Sequence, residues 1–295
     1  MSALHMPSRG QVQTGLLDQV VLSTLLDQLP LALLSLDDEF RIQAWNRAAA
    51  ELSGHSAEEV LGSRWEQELL CTFDGHCFLR HRNGHLLRVR TQTIVVPLTG
   101  GLERRSLVAI VNDAPSMCLL DHARGKRELD LIDPLTDLGN RRLAAIEFEA
   151  FLIRYQLHRR EFGVALFDVD LLHQVVKRFG YECSDEALKV VARTLAACLD
   201  EHDLLCRWGG DQFLALLVGG REEAQSKADL GRRAVEWSSM EWCGEPVALT
   251  VSGGVEMGSP GDHPEDLVGR AAFRLRMSKR LGRNRVMGGA EIQAE

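Results

Sequence analysis

The spacing of apolar residues in the N-terminal third of the chain changes from a helical period to the alternation of strands. Apolar positions recur at helical intervals over residues 16–29, and Pro30 ends this predicted helix. Residues 31–36 and 40–45 predict two strands, with Asp37-Asp38 as the turn between them. The pattern therefore predicts an amphipathic helix followed by an antiparallel strand pair.

Short helices and a hairpin complete this half of the chain. Asn46 and Ser56 are favourable N-caps for two small helices, and Gly54 is a favourable end for the first of them. Asn83-Gly84 is a strong signal for a hairpin. The later strands are predicted at residues 77–82, 86–96 and 107–111. Together these elements predict a compact antiparallel sheet with helices on one side.

The C-terminal half has longer periodic stretches. Residues 162–167 are almost wholly apolar and predict a buried strand. Helical spacing predicts one helix after the N-cap Asn140 and another over residues 184–199. Two further strands, at residues 204–208 and 213–218, are joined through a Gly-Gly turn. The apolar stripe of the first helix comprises Leu143, Ile146, Ala150, Ile153 and Leu157.

The composition is that of a globular protein and disfavours several functional classes. The 295 residues suffice for two domains, with 45% hydrophobic and 26% charged residues. A formal net charge of -8 argues against nonspecific nucleic-acid binding. The N-terminus lacks signal-peptide features, and the longest apolar run, residues 29–36, is too short to span a membrane. The 7 cysteines include no C-x-x-C pair, so we expect a soluble protein in a reducing cytoplasm.

Two acids at the ends of predicted strands are candidates for a metal site. Asp168 follows the buried strand, and Asp211 lies in the Gly-Gly turn. If these strands are neighbours, the two carboxylates converge at one sheet edge, where they could hold Mg²⁺ together with substrate phosphate oxygens. Taken alone, each acid is more often a simple turn residue. The residues by themselves leave both interpretations open.

Two spaced motifs occur in the N-terminal half, D-x-x-x-I-x-x-x-N and G-x-x-x-E-x-x-x-G. They are formed by Asp38, Ile42, Asn46, Gly54, Glu58 and Gly62. Residues 25–113 thereby resemble a PAS domain. The resemblance implies a sensor module whose ligand is unknown. The flavin-reactive motif G-x-N-C-R-F-L-Q is absent from the sequence.

Several histidines and a cysteine near the predicted hairpin are candidate ligands for a metal ion or haem: His76, Cys77, His81 and His85. His81 and His85 flank the Asn83-Gly84 turn. We favour the simpler interpretation, in which these two side chains lie at exposed strand ends and hold no ligand.

Five motifs follow one another in the C-terminal half: DPLTDLGNRR, FDVD, RWGGDQF, SGGVE and SKRLGRNRV. Over residues 133–286 they resemble the GGDEF, or diguanylate cyclase, family from end to end. The resemblance implies a nucleotidyl-cyclase-like fold with a mainly antiparallel central sheet packed by helices. It also implies the joining of two GTP molecules into cyclic di-GMP, with one GTP on each protomer of a homodimer.

The family's functional residues match positions of this sequence one by one. Asp168, Asp211 and the backbone carbonyl of Val169 match the Mg²⁺ ligands, and Mn²⁺ is the alternative metal. Lys279 and Arg283 match residues that grip the terminal phosphates, although a solvated basic helix end would have the same composition. The other matched substrate-binding positions are His173, Asp185, Gly209 and Gly210.

Four of the positions decide how far the family's chemistry carries over. Asp185 matches the acid that hydrogen-bonds guanine, and an acid at a helix start is the plainer interpretation. Gln212 stands where active members carry a catalytic glutamate, and a neutral amide cannot take up a proton. Val176 replaces an asparagine that reads guanine, and His173 replaces a lysine that contacts phosphate. These departures predict a slow site.

The resulting hypothesis is an α/β (α+β) protein that works as a PAS-regulated diguanylate cyclase, a nucleotidyltransferase. Its alternative is a catalytically degenerate GGDEF domain that acts as a GTP-binding or protein-binding signalling module. Expected partners are GTP, a second copy of the chain and other signalling proteins. No product-feedback site is expected, because Asp200 replaces the arginine of the family's R-x-x-D motif, which ends at Asp203. The predicted segments are residues 1–24 (N-terminal helix or flexible segment), 25–115 (PAS), 116–132 (connecting helix) and 133–295 (GGDEF).

Overall fold

The computed structural model describes residues 26–97, 104–113, 131–158, 160–259 and 261–288. The predicted N-terminal helix and the predicted connecting helix lie almost wholly outside these residues. By its contacts the chain divides into two compact units. The first takes its residues from Met1–Glu66 and Thr91–Val111, and the second from Gln67–Arg90 and Asn112–Glu295.

The N-terminal half alternates short strands with short helices. Its elements are β1 (Ala32–Leu36), β2 (Ile42–Trp45), α1 (Arg47–Ser53), α2 (Ala57–Val60), α3 (Trp65–Glu68), β3 (Leu70–Phe73), β4 (His76–Arg80), β5 (Leu86–Pro97) and β6 (Arg104–Asn112). The strands form an antiparallel sheet in the order β2-β1-β6-β5-β4-β3. The predicted antiparallel sheet with small helices is confirmed.

Local capping explains where the first small helix begins and ends. The side chain of Asn46 accepts a hydrogen bond from the backbone N–H of Ala49 at 2.9 Å, as an N-cap should. It also accepts one from Leu33 and donates to Leu31, so it ties the helix to β1. Gly54 ends the helix in the left-handed conformation, with φ of 74°. Both capping predictions are confirmed.

The C-terminal half contains the longer elements. They are α4 (Arg141–His158), β7 (Phe162–Val169), α5 (Leu172–Phe179), α6 (Tyr181–Ala197), β8 (Leu204–Gly209), β9 (Gln212–Val218), α7 (Arg221–Trp237), β10 (Met240–Trp242), β11 (Glu245–Val247), β12 (Val251–Met257), α8 (Pro264–Arg280) and β13 (Val286–Met287). Five strands form a sheet in the order β13-β12-β7-β9-β8, and only the β12–β13 pair is parallel. The predicted mainly antiparallel central sheet is confirmed.

Strand β7 lies at the centre of this sheet, and all eight of its residues are buried. Helices α6 and α7 contribute to the apolar cluster on one face of the sheet. Helices α4 and α8 contribute to the cluster on the other face. A strand covered on both faces needs apolar residues at every position, which is why its sequence shows no alternation before Asp168.

The buried face of α4 differs from the predicted apolar stripe. Ile146, Ile153 and Leu157 are 53%, 53% and 71% exposed. The helix instead buries Phe148 and Phe151, whose rings meet the ring of Phe162 edge-on. Two apolar stripes overlap on this helix, and the one with the larger aromatic surface faces the sheet.

Helix α6 begins three residues earlier than predicted, at Tyr181, and it follows a helix that the apolar pattern did not predict, α5. Gly180 separates the two helices with φ of 89°, a conformation that favours glycine. Among the residues that the structure describes, no helix combines the length and the apolar character that crossing a membrane requires.

Candidate active site

The pairing of β7 with β9 determines which polar groups meet at the end of the sheet. Asp168 on β7 lies opposite Gln212 on β9. One step further along, the backbone N–H of Val169 donates to the carbonyl of Asp211 at 3.0 Å. The sheet therefore brings the two acids of the FDVD and GGDQF motifs to one edge, as the sequence predicted.

The Gly-Gly turn between β8 and β9 needs its glycines for conformation. Gly209 and Gly210 have φ of 149° and 56°. Apart from the glycine itself and its two chain neighbours, nothing described lies within 4 Å of a Cβ built on either residue, so steric crowding is not the reason for glycine here. The positive φ values are the reason, because side-chain-bearing residues rarely adopt them.

Asp168 is buried and has two partners. Its Oδ1 lies 2.6 Å from Nζ of Lys279. Its Oδ2 accepts a hydrogen bond from Nε2 of Gln212 at 3.1 Å. An ion pair and an amide donor thus satisfy a carboxylate that is only 4% exposed.

The second acid, Asp211, is half-buried at the same edge. Burial raises the pKa of its carboxyl, and the negative charge of Asp168 raises it further, while Lys279 and Arg207 act in the opposite direction. Two neighbouring carboxylates repel each other when both are ionised, and a cation bound between them relieves this repulsion.

The donor set fits a hard divalent cation that shares its ligands with a substrate. The available oxygens belong to the carboxylates of Asp168 and Asp211 and to the backbone carbonyl of Val169. Within the described part of the chain, no group of three or more His, Cys, Asp and Glu side chains could hold a metal ion. Mg²⁺ typically binds through one or two carboxylates plus phosphate oxygens, so this set fits Mg²⁺ with a bound nucleotide.

The basic residues come from the end of α8. Lys279 lies in its last turn, and its side chain is 34% exposed. Arg283 follows in the turn after the helix and is exposed, with φ of 64°. The helix can approach the sheet closely because Gly254 faces it. A Cβ at Gly254 would lie 2.2 Å from the carbonyl oxygen of Ala271.

His173 and Asp185, two further predicted substrate residues, lie on the two helices that follow β7. His173 is exposed on α5, and Asp185 is exposed on α6. Because α6 begins at Tyr181, Asp185 lies beyond the first turn, and Glu182 is the acid of that turn. The plain interpretation of Asp185 as an acid at the helix start is therefore wrong.

Sequence analysis missed an ion pair that supports the Gly-Gly turn. Arg207 donates to both carboxylate oxygens of Asp133, at 3.1 and 3.2 Å, and to the carbonyl of Gly210. Burial alone would raise the pKa of Asp133, but hydrogen bonds from Thr136 and Arg207 and the charge of Arg207 hold it below its ordinary value. The sequence feature that could have indicated this ion pair is the presence of Arg207 as the first residue of RWGGDQF and of Asp133 as the first residue of DPLTDLGNRR.

The two acids at the position of the R-x-x-D motif have partners within the protein. Asp203 accepts hydrogen bonds from the backbone N–H of Val218 at 2.7 Å and from Lys227 at 3.1 Å. Asp200 pairs with Lys227 at 3.1 Å. These contacts join β9 to α7. The expectation that no feedback site exists here stays a prediction.

One expectation for the hairpin histidines is wrong. His85 is only 5% exposed, and its ring stacks on that of His81 with centroids 4.3 Å apart. Burial lowers the pKa of His85 to about 3, and the nearby charges of His81 and Arg193 contribute to the shift. The exposure prediction failed because the neighbours of His85 include Arg193, which is distant along the chain, as well as His81 of the hairpin.

Comparison with known proteins agrees with these features. The model of the diguanylate cyclase GGDEF domain matches residues 130–285, and a PAS-fold model matches residues 26–86. Diguanylate cyclase DgcP of Pseudomonas aeruginosa is 30% identical over 166 residues, which are 56% of this chain and 25% of that protein. Response regulator PleD of Caulobacter vibrioides is 32% identical over 175 residues, 58% of this chain and 38% of that protein.

The fold comparison identifies the same class of protein. The crystal structure of diguanylate cyclase SiaD in complex with its activator SiaC, from Pseudomonas aeruginosa, aligns with a TM-score of 0.54 and 31% identity. The alignment covers 58% of this chain and 66% of that chain. The chain spans well under half of the length of DgcP and PleD. Because the GGDEF model covers more than half of its residues, the chain belongs to the diguanylate cyclase GGDEF-domain family and carries a PAS fold before that domain.

Proposed function

We propose that this protein is a PAS-regulated diguanylate cyclase with attenuated activity. It condenses two GTP molecules into cyclic di-GMP and two pyrophosphates with Mg²⁺, or with Mn²⁺ as the alternative metal. The observation that carries the proposal is the convergence of Asp168, Asp211 and Lys279 at the β7–β9 edge. Family membership and the diguanylate cyclase relatives support it.

The carboxylates of Asp168 and Asp211 and the carbonyl of Val169 would hold the metal. The bound metal would supply charge neutralisation for the triphosphate and for the reacting oxygens. The chain itself contributes the rigid register of β7 and β9, which keeps the two carboxylates at one edge whether or not substrate is present.

The phosphates are gripped by Lys279 and Arg283. Lys279 now pairs with Asp168, so it exchanges this partner for a terminal phosphate when the nucleotide binds. Cationic groups near the departing pyrophosphate stabilise the negative charge that accumulates there. Each 3′-hydroxyl oxygen bonds to the α-phosphorus of the facing GTP, the bond from that phosphorus to pyrophosphate breaks, and the hydroxyl proton passes to solvent water.

Gln212 accounts for the attenuation. Its amide donates to Asp168 and has no carboxylate to accept a proton or attract a second cation. Loss of general-base assistance commonly lowers a rate by roughly 10²–10⁴-fold. Guanine recognition is weakened as well, because Val176 has no hydrogen-bonding group, and phosphate binding is weakened because His173 replaces the family's lysine.

The chemistry requires a homodimer, because each site carries one GTP and two must face each other. Nucleic acid is not an expected partner of a chain with a net charge of -8. Partner signalling proteins are part of the proposal, and the complex of the similar cyclase SiaD with its activator SiaC supports such regulation.

One observation favours a second candidate function, a GTP-binding or protein-binding signalling module without turnover. Both oxygens of Asp168 have protein partners, Lys279 and Gln212. A site that is electrostatically satisfied without a metal has less to gain from binding one.

A turnover assay decides between the two functions. The purified full chain is incubated with GTP and Mg²⁺, then with GTP and Mn²⁺, and the formation of cyclic di-GMP is followed by chromatography. The blank is Asp211→Ala, and Asp262→Ala, a turn acid at the opposite end of α8, is the matched control. Product from the wild type and the control, but not from the blank, supports the cyclase. No product, with GTP binding still measurable, rejects the cyclase in favour of the signalling module.

A further inference from the structure

Asp170, two residues beyond Asp168, has partners that the catalytic roles above do not use. Its carboxylate accepts hydrogen bonds from the hydroxyls of Thr250 and Ser252, at 2.9 and 2.7 Å. It also accepts one from the backbone N–H of Asn284, at 3.1 Å. The side chain thus joins the end of β7 and the start of β12 to the turn that follows α8.

This turn has a backbone conformation that requires support. Gly282, Arg283 and Asn284 all have positive φ, at 113°, 64° and 45°. Residues with a side chain adopt such values only where their surroundings stabilise them. The side chain of Asn284 donates to Glu236 at 2.8 Å and accepts from Arg232 at 3.0 Å, so contacts on both sides of Asn284 hold the turn.

Arg283 lies in the middle of the turn, between its two anchors. On one side its own backbone N–H donates to the carbonyl of Ser278 at 3.0 Å. On the other side the next residue, Asn284, is held by Asp170. The direction in which the Arg283 side chain leaves the backbone therefore depends on the bond to Asp170.

We propose that Asp170 is a positioning residue for the phosphate-binding arginine. It acts through Arg283: by accepting the Asn284 N–H it keeps the turn in the left-handed conformation that presents the guanidinium to the terminal phosphates of a nucleoside triphosphate. The inference rests on the proposed function, in which Arg283 grips those phosphates. It assigns the second acid of FDVD a role separate from that of the first.

A double-mutant cycle measured by calorimetry tests the coupling. The probes are GTP and inorganic triphosphate, each with Ca²⁺ in place of Mg²⁺ to slow turnover, and the proteins are the wild type, Asp170→Ala, Arg283→Ala and the double variant. Asp170→Ala should weaken GTP binding roughly tenfold, because a hydrogen bond to a charged acceptor is lost. The double variant should bind no more weakly than Arg283→Ala alone. Additive losses, or no loss in Asp170→Ala, would overturn the inference.

Two further measurements separate positioning from folding. Asp170→Asn keeps one acceptor oxygen and replaces the alanine variant if that variant is unfolded. The matched control is Asp262→Asn, because Asp262 also has a carboxylate that accepts a backbone N–H. Amide hydrogen exchange without nucleotide should accelerate at residues 282–285 in the Asp170 variants and not in the control. Unchanged exchange at these residues would overturn the inference.

The readout is binding, so the inference and the cyclase proposal fail separately. A wild-type protein that binds GTP and forms no cyclic di-GMP rejects the cyclase alone, and the coupling between Asp170 and Arg283 still decides this inference. A wild-type protein that binds neither GTP nor triphosphate overturns the inference together with the proposed function.

Discussion

The amide of Gln212 donates a hydrogen bond to Asp168, with 3.1 Å between Nε2 and Oδ2. An ionised carboxylate can only accept, so the NH₂ group of the amide must face it. The opposite oxygen of Asp168 is paired with Lys279. Each carboxylate oxygen of Asp168 therefore has a protein partner without a metal.

Gln212→Glu should raise the rate of cyclic di-GMP formation by roughly 10²–10⁴-fold, because it restores a carboxylate for proton transfer. Without metal the same variant should be less stable than the wild type, since two acids would then face each other across the β7–β9 pair. Chromatographic assays and thermal unfolding with and without Mg²⁺ measure both effects. Gln212→Met, neutral and without a donor, is the control. An unchanged rate in Gln212→Glu would show that another departure from the family pattern limits the site.

Lys279→Met should change two affinities in opposite directions. The affinity for Mg²⁺ alone should rise, because the competing ammonium group is removed from Asp168, whereas the affinity for GTP should fall with the loss of a phosphate partner. Calorimetric titrations with each probe measure the pair. Lys189→Met is a matched control, since Lys189 is also ion-paired and its side chain is 32% exposed against 34% for Lys279. Parallel changes in both affinities would contradict the assigned role.

Gly254→Ala should destabilise the protein by about 1–3 kcal/mol or more, because overpacking costs that much in a tight interface. A Cβ there would lie 2.2 Å from the carbonyl oxygen of Ala271 and 2.4 Å from the backbone nitrogen of Leu275, both in α8. Since α8 carries Lys279, GTP binding should weaken as well. The change would be measured by denaturant unfolding and calorimetry.

Gly269→Ala is the control for that substitution within the same helix. Gly269 is exposed, and beyond its chain neighbours and the backbone of its own helix nothing described lies within 4 Å of its Cβ position, so alanine should stabilise by up to about 1 kcal/mol. Equal effects of the two substitutions would show that close packing of β12 and α8 is unimportant.

Removal of the Arg207–Asp133 pair should destabilise the Gly-Gly turn. Arg207→Met should cost about 1.5–3 kcal/mol, the range for hydrogen bonds to charged groups. The pKa of Asp133 is held below its ordinary value of 3.8, so its stabilising contribution is present above that pH and is lost as the pH falls through the lowered pKa. The stability difference between wild type and Asp133→Asn should therefore shrink below about pH 4. A difference independent of pH would contradict the ion pair.

His85 should make stability fall on acidification. The pKa of the folded state is lowered to about 3 from an ordinary 6.5, so the group contributes stability above pH 6.5 that is lost progressively as the pH falls towards 3. Between pH 7 and pH 5 this group should lower the free energy of unfolding of the wild type by about 2 kcal/mol, and this decrease should be absent in His85→Gln. Urea unfolding across this range measures the difference.

Features with local causes were predictable from the sequence. Asn46 and Gly54 cap their helix through backbone groups a few residues away, so the residue types at these two positions are enough to predict both caps. The burial of β7 follows from its uninterrupted apolar run. The buried face of α4 was not predictable, because the choice between two stripes depends on the ring of Phe162, which belongs to the next strand.

The family, the central sheet and the two acids at its edge could be predicted from the sequence, because the motifs and apolar runs that indicate them consist of consecutive residues. The contacts that these residues make could be read only from the folded structure. The pairs Arg207–Asp133 and Asp170–Asn284 are 74 and 114 residues apart along the chain, and the packing of distant elements brings them together. Contact between such residues depends on the register of strands and the approach of helices, and no local pattern encodes either.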